Sequence, residues 1–205
     1  MSEYVSSPFL FVGNRTFQIT NAACDTFKND FQGNYLSFKG ALPTENKPHQ
    51  FLFNNQKLDF FGIYELEDLI NGLKTELPNS FETTDYNYIV CDPTERFTQA
   101  VLQLLVEEIK LKRILGKAES IPQLLFIYPM GMTSHDLRKE LSACLFEMKK
   151  AEIPVYLLRY QSTEMEVMLY ELVNVLQQKS LSQVENEWFF VEQLIGKNKA
   201  SVTNG

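Results

Sequence analysis

The chain has 205 residues, of which 44% are apolar and 16 are phenylalanine, and this predicts one globular domain with a buried core over residues 1–195. No segment approaches the roughly 18 to 20 apolar residues that a membrane span requires, so we expect no membrane association. The formal net charge of −7 disfavours tight binding of nucleic acid by this chain alone.

Short apolar runs alternate with longer helical patterns along the chain. Strands are predicted at residues 8–13, 34–38, 50–61 (one strand or two), 86–92, 121–128, 153–160 and 186–195, and helices at 18–29, 63–74, 95–115, 133–151 and 163–178. Three of the strands, 8–13, 86–92 and 121–128, are almost continuously apolar, which is typical of central strands buried on both faces. The alternation predicts an α/β fold with a mainly parallel sheet, followed by a disordered polar tail at residues 196–205.

The segment Gly13–Thr20 follows the first strand and matches part of the phosphate-loop consensus G-x-x-x-x-G-K-[ST]. Gly13 and Thr20 are in register, but Gln18 replaces the second glycine and Ile19 replaces the lysine. A triphosphate at this position would lose its main protein cation and gain an apolar neighbour. We therefore expect neither tight binding of ATP nor its hydrolysis.

A second nucleotide-site pattern ends the strand at residues 86–92, where the apolar run YIVC is followed by Asp92. In an active site such a carboxylate orients the metal ion. Without a lysine at position 19, the charge of Asp92 has to be satisfied by backbone N–H groups, by Thr20 or by a cation from a partner. We predict the third possibility, which places Asp92 at a protein interface.

The order of the elements, together with these two degraded motifs, resembles the RecA core of recombinase paralogues over about residues 8–195. The closest likeness is to the small divergent ATPase-like subunits of Shu-type complexes. The resemblance implies a three-layer RecA-like P-loop NTPase core with a mainly parallel sheet and antiparallel C-terminal strands. Its nucleotide site would be degenerate, with Gly13, Thr20 and Asp92 as vestigial positions.

The same resemblance implies a function. The chain would be a non-catalytic nuclear subunit, without cofactor, that heterodimerises with a recombinase paralogue and assists the recombinase filament in homologous recombination and DNA repair. DNA would be contacted only as part of that complex. The family's catalytic glutamate could match Glu65 or Glu67, although acids also favour the first turn of a helix, and we prefer that explanation. Its F-x-x-A oligomerisation motif appears at residues 38–41 and 97–100, but about one such match is expected by chance, so neither is evidence alone.

Other residue types add little chemistry. The best candidates for a DNA contact are four basic residues at the end of the third helix, Lys110, Lys112, Arg113 and Lys117, although cations are favoured at any helix C-terminus. His49 and His135 have no partners at metal-ligand spacing, so we predict no metal site. Thr133 or Ser134 is expected to cap the following helix. The three cysteines, Cys24, Cys91 and Cys144, lie in apolar segments, which favours free thiols in a reducing intracellular compartment.

Association with a protein partner is the common element of the remaining hypotheses. Nine aromatic residues of the predicted strands and their flanks exceed what one small domain easily covers, and we expect part of this set to form an interface: Phe9, Phe11, Phe51, Phe53, Phe60, Phe61, Trp188, Phe189 and Phe190. The alternatives to the recombination subunit are a pseudo-GTPase scaffold and an Elongator-type RecA-fold subunit. An ATPase with an atypical loop is disfavoured by Ile19.

Overall fold

The computed structural model describes residues 8–27, 34–38, 50–53, 66–77, 81–117, 120–127, 132–160, 165–176 and 189–196. These residues contain seven strands: β1 (Phe9–Val12), β2 (Asn34–Phe38), β3 (Gln50–Phe53), β4 (Tyr88–Cys91), β5 (Gln123–Ile127), β6 (Val155–Tyr160) and β7 (Phe189–Ile195). They also contain six α-helices: α1 (Asn14–Phe27), α2 (Leu66–Glu76), α3 (Arg96–Ile114), α4 (Ser134–Glu140), α5 (Ser142–Lys150) and α6 (Met165–Leu176). A short 3₁₀ turn, Thr83–Asp85, precedes β4.

The described strands form one sheet in the order β3-β2-β1-β4-β5-β6-β7. The first six are parallel, and β7 pairs antiparallel with β6. Strand β1 lies inside the sheet, β2 and β3 follow on one side of it, and β4 to β7 follow on the other side, as in doubly wound α/β folds. The predicted α/β class, with a mainly parallel sheet and an antiparallel C-terminal strand, is confirmed.

Two apolar clusters cover the two faces of the sheet, so the fold has three layers. On one face Leu10 and Val12 of β1 pack with residues of α2, α3 and α5. On the other face Phe9 and Phe11 pack with residues of α1 and α6. Every residue of β1 is therefore buried, which explains why its sequence is continuously apolar instead of alternating.

The burial of Phe9 and Phe11 corrects part of the predicted aromatic interface. Their side chains are 0% and 1% exposed and stack on Tyr88 and Tyr35 within the protein. They therefore contribute to the core and are not available to a partner. The other seven aromatic side chains of that prediction lie outside the described part of the structure.

The largest differences from the predicted helix bounds are in two places. Helix α1 begins at Asn14, four residues before the predicted start at residue 18. The helix predicted over residues 133–151 is divided at the buried residue Leu141 into α4 and α5. The second half of the predicted strand 50–61, Glu65 and tail residues 197–205 lie outside the described residues.

Candidate functional site

Gly13 links β1 directly to α1. It lies at the carboxyl end of β1, between the strands that follow on either side of β1 in the sheet. Its φ of +92° is a conformation that residues with a side chain rarely adopt, and its N–H donates to the carbonyl oxygen of Leu36 at 2.9 Å. A Cβ atom at this position would lie 2.6 Å from Oε2 of Glu95 and 2.9 Å from Oγ1 of Thr98. The crevice outside the carboxyl ends of β1 and β4, where doubly wound proteins bind ligands, is thus closely filled by the protein's own atoms.

Glu95 fills the N-terminus of α1. Its carboxylate accepts hydrogen bonds from the backbone N–H groups of Asn14 at 3.0 Å and Arg15 at 2.9 Å. Glu95 is also the N-cap residue of α3, where its side chain makes no capping hydrogen bond, so this residue links the start of α3 to the start of α1 on the other face of the sheet. Because anions bind at helix N-termini through such N–H groups, the Glu95 carboxylate occupies the position that a phosphate would need.

Two opposing effects act on the pKa of Glu95. Burial raises the pKa of its carboxyl group, and the hydrogen bonds from Arg15 and Asn14 lower it, with a net rise above the ordinary glutamate value. The neighbouring carboxylate of Asp92 adds to the rise. Glu95 therefore carries its charge at a cost that a more exposed glutamate would not have.

Asp92 lies in the same crevice and is 1% exposed. One carboxylate oxygen accepts hydrogen bonds from the N–H and the hydroxyl group of Thr94, at 3.0 and 2.7 Å, and the other is 2.8 Å from Nη1 of Arg15. The cation that satisfies Asp92 thus comes from α1 of the same chain. The backbone N–H of Thr94 confirms the first of the three predicted possibilities, and Thr20 does not contribute. Arg15 supplies a cation within the chain, so Asp92 does not need one from a partner, and its place at an interface stays a prediction.

The predicted phosphate loop is helical. Residues 14–20 belong to α1, whereas the consensus motif requires several loop residues before its helix. The hydroxyl group of Thr20 is buried and donates to the carbonyl oxygens of Thr16 and Phe17, at 3.0 and 2.9 Å, so it is not presented to a magnesium ion. Gln18 is exposed on the helix, and Ile19 packs against the apolar cluster of α1 and α6. Gly13 and Asp92 do meet in the crevice, but Thr20 does not join them.

Two buried hydroxyl groups at the crevice have no hydrogen-bond partner among the described residues. They belong to Thr16 in the first turn of α1 and to Thr98 in the first turn of α3, both fully buried. With Arg15 and Glu95, they are the site residues that the sequence did not reveal. Only the pattern Asp92-Pro93-Thr94-Glu95, a strand end followed by a helix start, offered a signal for Glu95.

The basic residues proposed to contact DNA are largely engaged within the protein. Lys110 pairs with Glu147 at 2.8 Å, and Lys112 pairs with Glu82 at 2.6 Å. Lys112 also contacts Thr84 and Glu108, and Arg113 donates to the carbonyl oxygen of Ala151 at 2.9 Å. Lys117 is exposed beyond the end of α3. Three of the four cations therefore connect α3 to neighbouring elements, and the contact of this group with DNA stays a prediction.

The remaining predicted residues have structural roles or lie outside the described part. Phe97 and Ala100 are buried, so this F-x-x-A match is a core feature of α3, and residues 39–41 of the other match are not described. Glu67 is exposed in the first turn of α2, which agrees with the preferred explanation that acidic residues favour the first turn of a helix. Thr133 caps α4 in a capping box with Asp136, which confirms that prediction.

The chemistry of metals and thiols adds no further centre. The described residues hold no group of three or more histidine, cysteine or acidic side chains able to bind a metal ion, and His49 is not among them. Cys91 and Cys144 are free thiols, and burial raises the pKa of Cys144 to about 11. The helices of the described part also lack the length and hydropathy needed to cross a bilayer.

Comparison with known proteins gives a likeness of fold. No family model and no curated protein matches the chain. Among solved structures, the chain is similar to TubZ of Clostridium botulinum phage c-st, in a form with a truncated C-terminal tail, at a TM-score of 0.50 and 10% sequence identity. The match covers 84% of this chain and 60% of TubZ, so this chain spans less than two thirds of its neighbour. TubZ has a tubulin/FtsZ-like GTPase fold.

Proposed function

We propose that this protein is a non-catalytic α/β subunit that binds no nucleotide and acts by association with another protein. The observation that carries the proposal is the Glu95 carboxylate, bonded to the N–H groups of Asn14 and Arg15. A nucleotide phosphate at this helix start would have to displace a partly buried carboxylate and then lie beside the carboxylate of Asp92. The crevice therefore disfavours a phosphate for two reasons. The Glu95 carboxylate already uses the N–H groups of the helix start, and the negative charge of Asp92 would repel the phosphate.

Nucleotide titration of the purified full chain tests this proposal. Calorimetry with ATP and with GTP, each with magnesium, should give no saturable heat, and neither nucleotide should be hydrolysed. Saturable binding with magnesium-dependent turnover, abolished in an Asp92→Ala variant that remains folded, would contradict it. Arg138→Ala is a suitable control, because Arg138 forms its ion pair with Glu192, well outside the crevice.

The first candidate partner is a recombinase paralogue. The sequence resemblance supports a RecA-like core, and the antiparallel strand β7 after the last described helix supports it further, because such a core carries additional terminal strands. In this case the protein would be nuclear and would assist the recombinase filament in homologous recombination and repair. Since Lys110, Lys112 and Arg113 are engaged within the chain, the partner would supply most of the DNA contacts. An Elongator-type ring subunit is a variant of the same proposal.

The second candidate is a pseudo-GTPase scaffold. The likeness to TubZ favours this candidate, because TubZ has a GTPase fold, and in this chain Glu95 would close the corresponding crevice. The two candidates are separated by isolating the native protein with its bound partner. A recombinase paralogue identifies the first role and a GTPase identifies the second.

A further inference from the structure

The Glu95 carboxylate leaves part of the hydrogen-bonding capacity at the start of α1 unused. It accepts hydrogen bonds from the N–H groups of Asn14 and Arg15, at 3.0 and 2.9 Å. The buried hydroxyl groups of Thr16 and Thr98 form no hydrogen bond within the part of the chain that the structure describes. A buried donor without an acceptor costs free energy, and most such groups in folded proteins are paired. The start of α1 therefore offers more donors than Glu95 uses.

The Thr98 hydroxyl group points to the same place as the Glu95 carboxylate. A Cβ atom built on Gly13, the residue before α1, would lie 2.9 Å from Oγ1 of Thr98 and 2.6 Å from Oε2 of Glu95. Both oxygens therefore lie against the backbone from which α1 begins. The Thr98 hydroxyl group nevertheless forms no hydrogen bond with Glu95. Because Glu95 reaches this point from the N-cap position of α3, its backbone restricts where its carboxylate oxygens can lie.

The charges at the start of α1 admit one monovalent anion. Asp92 is paired with Arg15, whose Nη1 lies 2.8 Å from Oδ2 of Asp92, and Glu95 adds one further negative charge. Another monovalent anion in place of the Glu95 carboxylate would keep this balance. A dianion such as phosphate would add repulsion from Asp92. The donors and the charge together therefore fit a carboxylate.

The start of α1 reaches the protein surface, and Glu95 has a second position open to it. The side chain of Arg15 is 35% exposed, and Asn14 and Glu95 are both partly exposed. At the N-cap of α3 the Glu95 side chain makes no capping hydrogen bond, although a carboxylate is favoured near the N-terminus of a helix. Glu95 can therefore leave the start of α1 while its charge stays at the favourable end of α3.

We propose that the start of α1 is a carboxylate-binding site, which the protein closes with its own Glu95 and which a carboxylate from outside the chain can occupy instead. An untethered carboxylate can accept hydrogen bonds from the N–H groups of Asn14 and Arg15 and also from the Thr98 hydroxyl group, which Glu95 leaves unbonded. Its source is a small organic acid or an acidic side chain of a protein partner. Only the second source rests on the proposed association with another protein.

Carboxylate rescue of the full-length Glu95→Ala variant tests this proposal. The variant is titrated with formate, and with chloride at equal ionic strength, while the amide resonances of Asn14 and Arg15 are followed by NMR. We expect formate to shift both resonances saturably and to raise the melting temperature. Dianionic phosphate should bind roughly tenfold more weakly, because its second charge meets Asp92. Glu140→Ala is the control, since Glu140 is an exposed glutamate of α4, and formate should affect it no more than chloride does.

The wild type tests whether an outside carboxylate can displace Glu95. Formate should shift the same two resonances with an affinity at least about tenfold weaker than in Glu95→Ala, because Glu95 competes for the site. The peptide acetyl-Gly-Glu-Gly-amide and its glutamine analogue test the source of the carboxylate. A response to formate alone identifies a small acid as the ligand. A response to the glutamate peptide, with none to the glutamine peptide, identifies an acidic side chain.

Replacement of Thr98 by valine tests the unused hydroxyl group. Thr98→Val should leave the melting temperature of the wild type unchanged or higher, because a methyl group replaces a buried donor that has no acceptor. Combined with Glu95→Ala, it should weaken formate binding by roughly tenfold, as for the loss of a hydrogen bond to a charged group. Unchanged formate binding in this double variant overturns the proposal.

Two further results would also overturn the carboxylate site. One is a folded Glu95→Ala variant on which formate acts no more strongly than chloride. If that variant does not fold in either salt, the other is a wild type whose Asn14 and Arg15 resonances do not respond to formate. Nucleotide binding is measured separately on the wild type, so a failure of the proposed function is distinguishable from a failure of this site.

Discussion

Gly13 is the residue that allows the helix start and the carboxylate of Glu95 to approach each other. Replacement by alanine would add a Cβ atom within 2.6 Å of Glu95 and 2.9 Å of Thr98, at a φ of +92°. Gly116 also has a positive φ, +64°, but a Cβ there would meet no atom within 4 Å. Alanine substitution at Gly116 would therefore cause backbone strain alone, whereas at Gly13 it would cause both strain and crowding.

We expect Gly116→Ala to lower the free energy of unfolding by about 1 to 2 kcal/mol, the cost of a left-handed residue with a side chain. Gly13→Ala should cost more, because crowding in the crevice adds to the backbone strain. Urea denaturation of both variants measures the difference. Equal losses would show that Glu95 and Thr98 do not constrain Gly13.

The sequence indicated Gly13 and Asp92 as site positions but not the side chains that complete the crevice. A glycine after an apolar strand and a carboxylate at a strand end are local patterns, and both residues do lie there. The contacts Arg15–Asp92 and Asn14–Glu95 join residues that are 77 and 81 positions apart in the chain. Such pairs depend on which strands are neighbours, and periodicity alone does not determine strand order.

At the scale of elements, the 3₁₀ turn is fastened to α3 by one carboxylate. Glu108 accepts hydrogen bonds from the N–H groups of Thr83 and Thr84, at 2.9 and 3.2 Å, and from the hydroxyl groups of both residues. Burial raises the pKa of Glu108, but these hydrogen bonds outweigh burial and the pKa is lowered overall. The contact thus favours the ionised form.

Glu108→Gln should therefore change how stability depends on pH. Because the folded pKa is lowered, the stability that the ionised group contributes is present above the ordinary glutamate pKa and is lost as pH falls through the folded value. We expect the variant to lose about 2 kcal/mol at neutral pH, the scale of hydrogen bonds to a charged group, and to lose less than the wild type on acidification. Denaturation at several pH values, with Glu140→Gln as an exposed control, measures this. Parallel pH profiles for wild type and Glu108→Gln would contradict it.

Element boundaries were predictable where they depend on local residues. The strand at 34–38 and the capping of α4 by Thr133 follow from composition and from a polar N-cap. The early start of α1 was not predictable from local residues, because the N–H groups of Asn14 and Arg15 are capped by Glu95, which lies at the start of α3. The break at Leu141 carries neither proline nor glycine, and tertiary packing of this buried residue determines it.

At the scale of the whole molecule, the fold combines a doubly wound sheet with a crevice that the chain fills itself. The continuous apolar strands and their alternation with helices made an α/β fold with a mainly parallel sheet predictable. The strand order was not predictable, because it depends on how the connections cross the sheet. It is this order that places β1 beside β4 and so brings Gly13, Asp92 and Glu95 together.

The backbone amide resonances of Asn14 and Arg15 test the central claim most directly, because these N–H groups bind Glu95. In a pH titration followed by ¹H–¹⁵N NMR, both should shift with a midpoint above the ordinary pKa of glutamate, since burial raises the pKa of Glu95. As pH rises through that midpoint, the stability contributed by the protonated group is lost. The shift should be absent in Glu95→Gln, and magnesium with ATP or GTP at neutral pH should leave both wild-type resonances in place. The account would be contradicted if the amide resonances of Asn14 and Arg15 did not shift with the ionisation of Glu95 but shifted saturably on addition of a nucleotide.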